Sequence, residues 1–386
     1  MKKLLVWILL CVFLVTDIPA WAAVDGGVSD TAADAAGTET QDAVSMDAQN
    51  AVGNNNEVYY ISTAEELVEI LQAYNYTGIS SCGMPEYSYF ELVEDIDLSG
   101  YIWKPVNLNG MFNGNGHTIR NITIEGYGGM NASTEKYAGF FAVGLNSWQK
   151  DYVTNLNLEN VQMEIEIGDQ SQITRLNVSP VIGDTGVAIN NCTVSGSISV
   201  TSESDTTDIS LTGFGNAGGC QGEMDLEVTG KTKELEILAI SESANCRWEG
   251  DITVNVQGES GRVEAGGVHA GRGCTYTGDI EVQAENDNEG NVSAYGGFGE
   301  DCHMEGDVTL MSGEGIAQIY GLGGTGSSME GNLHAEGAGE VYAVGMSDSV
   351  AGYNPSVVGH VKDSLFTGNV TVKAQKHISV TGIENG

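Results

Sequence analysis

Hydrophobic positions recur along the chain on two scales. Over short runs they alternate with polar ones, the period of a strand that buries one face. Gly250-Asp251-Ile252-Thr253-Val254 shows it, and so do Gly278-Asp279-Ile280-Glu281-Val282 and Gly306-Asp307-Val308-Thr309-Leu310. Over longer distances the runs themselves repeat. Reading down Gly196, Gly222, Gly250, Gly278, Gly306, Gly331 and Gly368, the steps are 26, 28, 28, 28, 25 and 37 residues. A fixed period in this range predicts a repeat architecture.

Each repeat carries a second alternating run that ends in glycine. These are Ile209-x-Leu211-x-Gly213, Val263-x-Ala265-x-Gly267, Val292-x-Ala294-x-Gly296, Val341-x-Ala343-x-Gly345 and Ile378-x-Val380-x-Gly382. One turn of chain per repeat would stack equivalent residues at the inter-strand spacing of about 4.8 Å. The small Ala residues would fit where the coil is narrow, and glycine would allow the corner. The handedness of crossover connections favours a right-handed coil. The predicted fold class is therefore all-β: a right-handed parallel β-helix, or β-solenoid, with an N-terminal capping helix.

The helix is read from residues 58–100. Val58–Ile61 is a short strand, and Ser62-Thr63-Ala64-Glu65 reads as a capping box. Leu67, Ile70, Leu71 and Tyr74 then fall on one helical face. One amphipathic helix ahead of a β region suits a cap, because the first repeat exposes an apolar end and a free strand edge. Tyr74, Tyr76, Tyr87 and Tyr89 gather here, either packing the cap or offering a platform on which a sugar could stack. Residues 101–386 are read as repeats of about 24–37 residues. No closing element follows Ile378–Gly382, so an open end is expected there.

Several stretches then become specific. Tyr89-Phe90-Glu91-Leu92, Asp95-Ile96-Asp97-Leu98, Trp103-Lys104-Pro105-Val106 and Phe112-Asn113-Gly114-Asn115-Gly116-His117-Thr118-Ile119 resemble the opening of β-helix proteins with GLUG repeats. That family belongs to the pectin-lyase-like fold group. The eponymous element maps onto Gly139-Phe140-Phe141-Ala142, with Phe for Leu and Ala for the last Gly. The resemblance covers residues 58 to about 200. It implies a secreted or surface protein of bacteria, adhesin-like, binding glycan or cell-surface partners without catalysis. The fold group also contains polysaccharide lyases and hydrolases, and a structural stalk is a third expectation.

Charge and the N-terminus narrow the setting. There are 53 Asp plus Glu against 15 Lys plus Arg, a formal net charge of -38. Such a surface repels nucleic acid and anionic membranes. Lys2 and Lys3, the apolar run Leu4 to Val15 and Ala20-Trp21-Ala22 read as a secretory signal peptide over residues 1–23. Residues 24–57 lack aromatic and basic side chains and read as a disordered acidic linker. No transmembrane segment is expected in the mature chain, which is placed outside the cell or at its surface.

Candidate chemistry is sparse. Cys192, Cys220, Cys246, Cys274 and Cys302 step by 28, 26, 28 and 28 and occupy one slot on successive repeats. Stacked side chains point in parallel at a spacing wider than disulfide geometry, so a buried ladder of free thiols is expected, with Cys82 outside it. The slot after the repeat glycine reads Ser197, Glu223, Asp251, Asp279, Asp307, Asn332, Asn369. These are read as turn residues bonding nearby backbone, with calcium as the alternative reading of the three aspartates. Glu285–Gly290 echoes the front of an EF-hand loop, but Gly296 stands at its twelfth position. Arg272 and Glu300 are expected to form a stacked surface ion pair, and His269 to face Gly297 without an acid partner. No catalytic residue, ligand-binding residue or metal ligand is assigned.

Overall fold

The computed structural model describes residues 58–72, 88–128, 134–144, 152–184, 186–258, 261–285, 290–347 and 363–384. The stretches read as a signal peptide and an acidic linker, together with Tyr74, Tyr76, Tyr87, Cys82 and the centre of the EF-hand-like stretch, lie outside them. All described residues belong to the unit Asn54–Gly386.

Strands dominate the described residues of this unit, and helical residues are few. Its strands form sheets of sixteen, nine, six and two strands, and each consecutive repeat pairs in parallel with the next. In the nine-stranded sheet one inward column runs Ile209, Leu235, Val263, Val292, Ala317, Val341, Ile378. The alternation placed Ile209, Val263, Val292, Val341 and Ile378 there; Leu235 and Ala317 complete it. In the sixteen-stranded sheet Leu226, Ile252, Ile280, Val308, Leu333 and Val370 stack in register. We call one layer of this stack a rung.

The rungs are filled by large residues set against small ones. Trp248, Tyr276, Met304, Met329 and Phe366 form one column. A Cβ at Gly213 or Gly222 would strike the Trp248 ring, and one at Gly267 the Tyr276 ring. Met329 takes the space beside Gly296, and Phe366 the space beside Gly321 and Gly345. Gly213, Gly267, Gly296 and Gly345, which close second runs, thus make room for large side chains from the facing sheet rather than freeing a corner. Dispersion contact at native density depends on this fit.

Register corrects two sequence readings. Gly222 pairs with Trp248, while Met224 takes the slot of Gly196 and precedes Gly250. The residue equivalent to Asp251 is accordingly Asp225, not Glu223, because Leu226 pairs with Ile252. His269 faces Phe298, not Gly297. Arg262 pairs with Asn291, a step of 29 residues, and a bulge at Ala270 (φ 50°) absorbs the extra residue. Beyond the bulge Arg272 returns to register with Glu300 and lies 3.4 Å from it, the expected surface pair.

At the start, Thr63 accepts from the Glu66 amide and caps helix Ala64–Leu67, which continues as a wider turn over Val68–Gln72. Leu67 and Leu71 are buried in the core, and Tyr101 donates to Glu65 at 2.9 Å. Phe140 and Phe141 of the GLUG-like element are fully buried. Trp103 stacks on Phe140 at 4.4 Å, and its indole N–H donates to the Phe140 carbonyl at 2.7 Å.

Candidate functional site

Two columns recurring in the sequence prove to be parts of the frame. The thiols of Cys192, Cys220, Cys246, Cys274 and Cys302 are free and buried, and each points to the carbonyl two residues before it. The Cys192 amide donates to the Cys220 sulfur at 3.4 Å. Ser327 and Ser364 extend the column, since the Cys302 amide donates to the Ser327 hydroxyl and the Ser327 amide to that of Ser364. The slot therefore supplies an acceptor to the preceding rung. The hydrogen bond with Cys192, and then burial, push the Cys220 thiol up to about 12.

The aspartates also bond between rungs rather than within their own turns. The Asp251 amide donates to the Asp225 carboxylate at 3.0 Å, Asp279 to Asp251 at 2.8 Å, and Asp307 to Asp279 at 2.8 Å. Asn332 and Asn369 continue the line through amide and side-chain donors. Among the described residues, no group of three or more His, Cys, Asp or Glu is arranged to hold a metal ion. Asn accepts as well as Asp here, so Asp279→Asn should leave stability within about 0.5 kcal/mol. Asp279→Ala, which strands the Asp307 amide, should cost about 1–2 kcal/mol. Urea unfolding of the two variants, followed by circular dichroism, measures both.

A different arrangement lies on the outward face of the nine-stranded sheet. Leu176, Ile209, Leu235 and Val263 point inward, so the residues beside them face out. One outward column runs Glu135, Arg175, Asp208, Glu234, Arg262, and a second runs Tyr137, Asn177, Ser210, Glu236, Glu264. Between them lies a cleft of about 320 Å³ whose polar lining is Arg175, Asn177, Asp208, Ser210, Glu234, Glu236 and Arg262.

Donors and acceptors alternate through the cleft. Asn177 donates to Glu135 at 3.2 Å, Lys233 to Asp208 at 3.2 Å, and Ser210 to Glu236 at 3.4 Å. Glu264, 1% exposed, is held by the Arg262 guanidinium and by the Tyr295 hydroxyl at 2.8 Å. His269 lies 3.0 Å from that hydroxyl, and burial lowers its pKa, keeping the imidazole neutral. Burial, then the neighbouring Glu264 carboxylate, raises Glu236 above the usual carboxylate range. Burial and then Glu135 push Tyr137 up to about 12.

A carboxyl whose pKa is raised by folding contributes its stability below the unfolded value and loses it as pH rises through the folded one. Glu236→Gln should therefore raise the thermal midpoint at pH 7, and the difference from wild type should vanish below about pH 4. Thermal scans across that range check the sign.

A second cleft, of about 490 Å³, crosses the outer face of the sixteen-stranded sheet between Thr118 and Glu249. Thr193 donates there to Asn157 at 2.7 Å, and Arg247 pairs with Glu249 at 3.3 Å. Its side chains are more exposed, and it has no buried charge corresponding to Glu264.

Of the polar residues lining the cleft on the nine-stranded sheet, the sequence marks only Arg262, which groups with Arg247 and Arg272 as basic side chains within the regular repeats. The available signal was the outward position of Arg262-Val263-Glu264 and of Glu234-Leu235-Glu236.

No family model matches the chain, and neither does any curated protein. Among solved structures the chain is similar to a candidate immunoglobulin A1 protease from Bacteroides ovatus. The identity is 14% over 82% of this chain and 84% of that one, with a TM-score of 0.33. It is also similar to L. reuters 100-23 SRRP, at 12% identity over 86% of this chain and 99% of that one, with a TM-score of 0.28. Among the described residues, no helix is long and apolar enough to cross a membrane.

Proposed function

We propose that this chain is an exported, right-handed parallel β-helix protein of the GLUG-repeat, adhesin-like kind, which binds a hydroxyl-rich glycan without cleaving it. Residues 1–23 act as the export signal, residues 24–57 as a spacer, residues 58–100 as the cap and residues 101–386 as the repeats. The observation that carries the binding reading is the cleft on the nine-stranded sheet. Its arginines, carboxylates, amide and hydroxyl alternate at strand spacing, the pattern that engages neighbouring sugar hydroxyls. Acids outnumber bases in its two columns, so a neutral or amino sugar fits better than a uronic acid polymer.

The test is affinity electrophoresis of the mature chain through gels containing neutral or acidic polysaccharides, with calcium or a chelator. The same mixtures are assayed for new reducing ends and unsaturated products. Retardation by a neutral or amino-sugar polymer, lost in Arg175→Ala and without cleavage, is the expected result. Cleavage would contradict it.

A second reading, polysaccharide hydrolysis, rests on Glu236, a carboxyl with a raised pKa one strand from the Glu264 carboxylate. Paired carboxyls of this kind can divide acid and nucleophile roles. New reducing ends that disappear in Glu236→Gln would select it.

A further inference from the structure

Charge is distributed unevenly in the cleft of the nine-stranded sheet. Two of its ionic groups are already paired, Arg262 with Glu264 and Asp208 with Lys233 at 3.2 Å. Among the described residues, Glu234 and Glu236 form no ion pair. Glu236 is half-buried. Asp208 and Ser210 flank it on one neighbouring strand, and Arg262 and Glu264 on the other. Its donor is the Ser210 hydroxyl at 3.4 Å, longer than an ordinary hydroxyl–carboxylate bond.

A half-buried carboxylate in this position is short of a counter-charge. Burial, then the Glu264 carboxylate, raise its pKa even though Arg262 and Arg175 oppose them. A neutral sugar laid over Glu236 would strip its water and return only uncharged donors. An ammonium group supplies donors and charge together, and charge-assisted hydrogen bonds are the stronger kind. Arg262 is held elsewhere, because leaving Glu264 would strand a carboxylate that is 1% exposed. Arg175 stands two strands from Glu236, beside Asn177.

Taking this cleft as the glycan site, we infer that it selects amino sugars carrying a free ammonium group, which seats on Glu236 with Glu234 beside it. Arg175, Asn177 and Ser210 then hold hydroxyls of the same and adjoining sugars. An N-acetylated sugar of the same backbone brings a neutral amide and leaves Glu236 without a counter-charge.

Isothermal titration calorimetry of the mature chain tests this in mildly acidic buffer, where the amines are protonated. The probes are short glucosamine and galactosamine oligomers, each in free-amine and N-acetylated form. A free-amine oligomer should bind at least about tenfold tighter than its N-acetylated counterpart. Glu236→Gln, which keeps the shape and removes the charge, should abolish that preference. Glu281→Gln removes the same charge from an exposed position of the sixteen-stranded sheet and should preserve it. Equal binding of the two forms, a preference that survives Glu236→Gln, or one lost in Glu281→Gln would overturn the inference and leave glycan binding standing. So would a chain that is retarded by a neutral polymer and binds no free-amine oligomer. A chain that binds no oligomer and is retarded by no polymer would overturn both.

Discussion

Trp248→Ala should destabilise the chain by about 3–5 kcal/mol, the cost of removing a large aromatic from a core that cannot collapse around the gap. Trp248 is 0% exposed and meets Phe214 edge-on at 5.2 Å. Its indole N–H donates to the Met224 carbonyl at 3.1 Å, so truncation also strands an acceptor. Collapse is blocked because the ring's neighbours, Gly213 and Gly222, have no side chains to move inward. Trp248→Phe should recover more than half of the loss, because Phe restores most of the apolar volume and lacks only the donor. Urea unfolding followed by tryptophan-independent circular dichroism gives both values.

Gly278→Ala should cost about 2–4 kcal/mol, combining backbone strain with a steric clash. Gly278 holds φ at 152°, which L side chains rarely adopt, and its Cβ would be driven into the Gly250 carbonyl of the preceding rung. The colliding atom is backbone, so no rotamer change relieves it. Gly306 stands in the same relation to the Gly278 carbonyl. Hydrogen exchange should localise the damage, with faster exchange in the rungs either side of Gly278 and little change near Phe90. Equal loosening along the whole chain would contradict a stack in which each rung contacts its neighbours.

The frame was readable because period-two alternation and a repeat near 28 residues leave few arrangements that bury Ile252, Ile280 and Val308 together. The errors came from register. Gly222 looked like the repeat glycine, yet the cysteine spacing already pointed elsewhere: Cys220 plus four is Met224, just as Cys246 plus four is Gly250. The bulge at Ala270 left no mark, since alanine gives no hint of a positive φ. The cleft was hidden for a different reason. Glu236 and Glu264 are ordinary outward glutamates in an acidic chain, and only the one-strand separation and the contacts of Arg262 and Tyr295 distinguish them. Those depend on which rung follows which, and Leu235-x-Ile237 lacks the terminal glycine that marks other rungs in the sequence.

The claim on which the site depends is that each repeat lies directly on the next, residue over residue. Paired spin labels measure this. Asn255 and Gln283 are exposed and in register on adjacent strands, which places them about 5 Å apart. Both are replaced by labelled cysteine in a Cys82→Ser background, where the buried native thiols stay unreactive until the chain unfolds. The account predicts strong dipolar broadening and spin exchange in the doubly labelled chain, absent from each single label. A slip of one residue would turn one label into the core, and a spectrum equal to the sum of the two singles would contradict the stacking outright.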